Sequence, residues 1–78
     1  MRADICEPED TVTLSRFKAA LRDLKAVPLL EIPVPGLQIM CVGIEGEEIN
    51  IFMDEWSIDI DGPSDLVRRI LDRMKNVD

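Results

Sequence analysis

The stretch INIFMDEWSIDIDG, residues 49–62, alternates apolar and polar side chains, but its apolar positions change parity partway. Ile49, Ile51 and Met53 are odd-numbered, whereas Trp56, Ile58 and Ile60 are even. Period-two alternation marks a strand with one buried face, so the residues between the two sets decide how many strands there are. A two-residue hairpin turn at Asp54-Glu55 opposes Met53 with Trp56, Ile51 with Ile58 and Ile49 with Ile60. All six then share one face. A bulge within one long strand shifts parity equally well. The hairpin is the favoured reading, although Glu is poorly suited to the positive φ that tight hairpin turns demand.

Immediately upstream, LQIMCVGI (residues 37–44) is a β-branched run ending at Glu45-Gly46, a turn signal. Closing that turn pairs Ile44 with Glu47, Val42 with Ile49, Met40 with Ile51 and Gln38 with Met53. Before it, LLEIPVPG (residues 29–36) reads as extended, with Leu30, Ile32 and Val34 on one side. Pro33 and Pro35 lack the N–H that a ladder needs, which confines this segment to an edge strand or an extended arm.

Leu14, Phe17, Leu21 and Leu24, with Ala20 beside them, recur at helical spacing. The pattern predicts a helix from about Thr13, a residue suited to capping, to before Pro28, which forces its predecessor out of the α region. Leu66, Val67, Ile70, Leu71, Met74 and Val77 give a second helix a wide apolar face. Gly62 or Asp61 is its expected cap, with Pro63 at the first helical position.

Residues 1–10 read as a flexible acidic lead-in, and residues 11–78 as a single α+β domain. The expected fold is a two-layer sandwich, an antiparallel meander of three or four strands with both helices on the Ile49/Ile51/Trp56 face.

Charge is unevenly placed. Eight of the nine Lys and Arg residues fall in the helical segments, and residues 26–67 contain none. That span holds Glu31, Glu45, Glu47, Glu48, Asp54, Glu55, Asp59, Asp61 and Asp65. The expected register turns Leu37, Ile39, Cys41 and Phe52 to the other face of the sheet, with Glu48, Asn50, Asp54, Ser57, Asp59 and Asp61 around them. An apolar centre with a polar rim is the anatomy of a protein-binding surface, so Leu37, Ile39, Cys41, Phe52, Glu48, Asp54, Glu55, Asp59 and Asp61 are the candidate binding residues. Acidic residues on outward strand positions also keep sheets from pairing at their edges, which is the plainer reading of any one of them.

Chemistry finds little purchase in this sequence. There is no histidine, the commonest acid-base catalyst and neutral-pH metal ligand. Cys6 and Cys41 are too few for a disulfide framework or a zinc site and are expected as free thiols. Asp59, Asp61 and Asp65 lack the ligand series of a calcium loop. No glycine-rich phosphate loop occurs, and the acidic sheet disfavours direct nucleic-acid binding. No catalytic residue, metal ligand or cofactor is assigned. With no apolar run long enough to span a bilayer and no signal-like start, a cytoplasmic location is the default expectation.

These features point to a non-catalytic binding protein whose acidic sheet layer docks on a basic, nucleic-acid-handling partner, in the manner of an immunity protein, an antitoxin or a phage anti-defence inhibitor. The alternative is a small structural or adaptor subunit that forms a homodimer through the outer sheet face.

Overall fold

The computed structural model describes residues 1–76. Its elements run β1 (Arg2–Cys6), α1 (Thr11–Asp23), β2 (Val27–Val34), β3 (Leu37–Ile44), β4 (Glu47–Asp54), β5 (Ile58–Asp61) and α2 (Ser64–Asn76). The strands form one sheet in the order β1-β5-β4-β3-β2, with every neighbouring pair antiparallel. β2 to β5 are the expected meander. α1 carries the chain from one edge strand, β1, to the other, β2.

The expected β3–β4 register is the observed one, with Val42 opposite Ile49, Met40 opposite Ile51 and Gln38 opposite Met53. Glu45 and Gly46 make the turn at φ 53° and 81°, the positive pair that the tight primed turn requires. The last hairpin is a hairpin rather than a bulged strand, but its turn lies one residue later than expected. Met53 opposes Ile58, Ile51 opposes Ile60, and Asp54 N–H donates to Ser57 C=O at 3.1 Å, which leaves Glu55-Trp56 as the loop.

That shift has a local cause. Asp54 Oδ1 accepts from the backbone N–H groups of both Trp56 and Ser57 at 2.7 Å, so the Asp side chain organises the turn and neither Glu55 nor Trp56 takes a positive φ. The parity change still keeps the isoleucines on one face. Trp56, expected there opposite Met53, instead stands at the turn tip, 79% exposed.

Three further expectations need correcting. Residues 2–6, read as part of a flexible lead-in, form the edge strand β1, with Arg2 opposite Asp61, Ala3 opposite Ile60 and Asp4 opposite Asp59. The first helix starts at Thr11 and is capped by Asp10, whose carboxylate accepts from Thr13 N–H at 3.1 Å and Thr13 Oγ1 at 2.7 Å. At the other end Lys25 adopts φ 59°, while Lys25 N–H donates to Arg22 C=O and Ala26 N–H to Leu21 C=O. This is the Schellman closure. α2 starts at Ser64, one residue past the expected Pro63, whose carbonyl accepts from Val67 N–H.

Both helices cover the same sheet face, as expected. The core joins Phe17, Ala20 and Leu24 of α1 and Leu66, Val67, Ile70 and Met74 of α2 to Val42, Ile44, Ile49, Ile51, Ile58 and Ile60. Ala3, Ile5 and Cys6 of β1 pack against it. Val77, assigned to the α2 stripe, lies outside the described residues. One ion pair ties the layers together, Arg69 of α2 gripping Glu45 of the β3–β4 turn in a two-pronged contact at 2.6 and 3.0 Å, and a second joins the helices, Arg73 of α2 meeting Asp23 of α1 at 2.8 Å. No helix among the described residues is long and apolar enough to cross a membrane.

Candidate protein-binding surface

The face of the sheet away from the helices is uncovered, and it is divided. Strand alternation places Leu37, Ile39 and Cys41 of β3 and Phe52 of β4 on it, together with Glu48, Asn50 and Asp54. β5 adds Asp59 and Asp61, paired with Phe52 and Asn50. β1 adds Arg2 and Asp4. The structure therefore brings together on one face all of the sequence-predicted binding residues except Glu55, which sits at the β4–β5 turn on its rim.

β2 enlarges the apolar half beyond the sequence reading. Leu30 opposes Cys41, Ile32 opposes Ile39 and Val34 opposes Leu37, so all three share the outer face. They are 58%, 45% and 44% exposed. The Pro35-Gly36 turn, with Gly36 at φ 79°, fixes that register, and the same dipeptide in the sequence is the signal that links this strand to β3.

A bulge between Pro28 and Leu30 makes Leu29 the extra residue. Its side chain lies across Gly43, where an added Cβ would stand 3.2 Å from Leu29 Cδ1. Leu29 and Leu30 thus both reach the outer face. The sequence signal for this packing is Gly43 itself, a glycine inside a strand run, whose missing side chain leaves the space that Leu29 fills.

The other half of the face is acidic. Glu48, Asp54, Asp59, Asp61 and Asp4 border the apolar patch on the β4, β5 and β1 side. Arg2 is the single Lys or Arg outside residues 11–25 and 64–76, with the Met1 ammonium 3.7 Å from Asp61 as the other positive group, against twelve acids in the remaining strands and connections. The Arg2 guanidinium donates to Asp59 Oδ2 at 3.1 Å and lies 4.6 Å from the centre of the Phe52 ring.

The carboxylates differ in their electrostatics. The backbone N–H groups of Trp56 and Ser57 hold the Asp54 carboxyl below its ordinary value. Asp4 is pushed the other way, chiefly by the hydrogen bond it shares with Asp59, then by burial and the Asp59 charge. A carboxyl raised in the folded state costs stability wherever it must ionise, and that cost fades as pH falls from the folded value toward the unfolded one near 3.9. Asp10, Glu45 and Asp54, all lowered, contribute stability above the unfolded carboxyl range and lose it as pH falls through their folded values. An amide at position 4 donates to the Asp59 carboxylate and brings no second negative charge. Asp4→Asn is expected to raise Tm by a few degrees at pH 7 and to match wild type near pH 3, as read by circular dichroism melts.

Both cysteines are free. Burial raises the Cys41 thiol, helped by the neighbouring Glu48, and burial with Asp10 and Asp4 raises Cys6. Each stays a protonated thiol at neutral pH, which suits packing rather than nucleophilic chemistry. Among the described residues no three His, Cys, Asp or Glu side chains are grouped to hold a metal ion.

Sequence reasoning missed Leu29, Leu30, Ile32 and Val34 as part of this surface, Trp56 as an exposed indole at its rim, and Arg2 as the base lying on it. No family model, curated protein or solved structure matches this chain.

Proposed function

We propose that this protein is a non-catalytic binding module whose outer sheet face docks on a protein that is apolar along one side of its contact surface and basic along the other. The observation that supports this reading is the division of the face: the apolar strip over β2, β3 and Phe52 runs beside a carboxylate border on β4, β5 and β1. Association between opposite potentials is fast and selective. A protein that handles nucleic acid is the natural partner class, because it already carries a basic surface for phosphates.

A second copy of the chain fits this face less well. A two-fold axis that stacks whole faces sets the acidic half against the acidic half or against the apolar half.

The test combines solution mass with capture. Wild type should sediment as a monomer across concentration at low and high salt. Basic proteins held by immobilised wild type should be lost to Phe52→Glu and weakened about 10- to 100-fold by the Asp54→Lys, Asp59→Lys, Asp61→Lys triple variant. Capture that ignores the triple variant counts against the reading. A dimer that Phe52→Glu splits reassigns the face to self-association.

A further inference from the structure

Resting on that reading of the face, we propose that Phe52 and Asp59 form a guanidinium site for an arginine of the basic partner, with Arg2 its intramolecular occupant in the free protein. Phe52 and Asp59 are cross-strand partners on the outer face, so an aromatic ring and a carboxylate stand side by side at the line where the apolar half meets the acidic half. A ring face attracts a cation through its quadrupole, and a carboxylate accepts the fork of a guanidinium. Together they suit arginine better than lysine, whose ammonium neither stacks flat nor presents a planar fork.

Arg2 shows what the pair binds. It is the one Lys or Arg among the strands and their connections, which hold twelve acids, and it reaches from β1 across β5 to lie 4.6 Å from the Phe52 ring centre while donating to Asp59 at 3.1 Å. The tie is a displaceable one. Arg2's side chain is 58% exposed, against 22% for Asp59, and exposed ion pairs and cation–π contacts are individually weak. An incoming arginine anchored by neighbouring apolar contacts takes the place of Arg2, which swings into water. The free protein's affinity is then reduced by the fraction of molecules in which Arg2 holds the site.

The probes are dye-labelled octa-arginine and octa-lysine, titrated at low ionic strength by fluorescence anisotropy against wild type, Arg2→Ala, Arg2→Gln and Phe52→Leu, each first shown to be folded by circular dichroism. Wild type should prefer octa-arginine. Arg2→Ala and Arg2→Gln should each tighten octa-arginine about three- to tenfold and octa-lysine less, and Phe52→Leu should erase the preference between the peptides. Equal gains for both peptides on removing Arg2 would reduce its role to charge and overturn the placeholder, with the acidic docking surface left standing. If neither peptide binds wild type or Arg2→Ala, the docking reading itself falls.

Discussion

Ile60→Ala should lower Tm by roughly 10–30 °C. Ile60 is fully buried at the centre of β5, opposite Ile51 on one side and Ala3 on the other, within the core cluster. Removing three carbons from such a site costs about 2–5 kcal/mol, through lost transfer energy and the cavity that remains. A chain of this length has only about 4–12 kcal/mol in all, and each kilocalorie moves the midpoint of so small a domain by about 4–8 °C. Ile60→Val, at about 0.5–1.5 kcal/mol, is the graded control. If both variants melt within a few degrees of wild type, Ile60 is not in the core described above.

Ala3→Pro is expected to lower Tm by roughly 10–20 °C, although the residue stands near the start of the chain. Met1 and Gly62 exchange backbone hydrogen bonds, at 2.7 and 3.0 Å, and hydrogen-bonded pairs alternate along an antiparallel ladder. Ala3 and Ile60 are therefore the next bonded pair. Proline at position 3 removes the donor and leaves the Ile60 carbonyl unpaired beside the core, a loss of about 2–3 kcal/mol. At Asp4 the alternation turns the N–H away from β5, so Asp4→Pro should cost distinctly less. A frayed lead-in, as the sequence alone suggests, would leave both variants unchanged, so the pair of thermal melts separates the two pictures directly.

Legibility in the sequence followed the range of the interaction. The β3–β4 register was readable because Glu45-Gly46 closes the hairpin locally and the alternation on either side admits one pairing. The β4–β5 turn was readable in kind and one residue off in place: the decisive interaction is the Asp54 carboxylate capping two N–H groups, and apolar parity alone does not distinguish a turn at Asp54-Glu55 from one at Glu55-Trp56. Both placements keep Ile51 and Ile60 on the core face. They differ in whether Trp56 is buried or exposed.

The same division runs through the candidate surface. Leu37, Ile39, Cys41 and Phe52 are legible as outward residues because strand alternation assigns them once the inward set is known. Leu29 is not, because its placement depends on a bulge seated over Gly43.

By itself, then, the chain determined its helices, its central hairpins, its inward and outward residue sets and the separation of bases from acids. These rest on periodicity, turn chemistry and composition, all of which act between residues close in sequence. Only the tertiary structure decided that residues 2–6 complete the sheet and that Arg2 lies across Phe52 and Asp59. β1 is short and acidic and carries no strong alternation of its own. It becomes a strand because β5, nearly sixty residues away in the chain, presents an open backbone edge beside a core that Ala3, Ile5 and Cys6 extend.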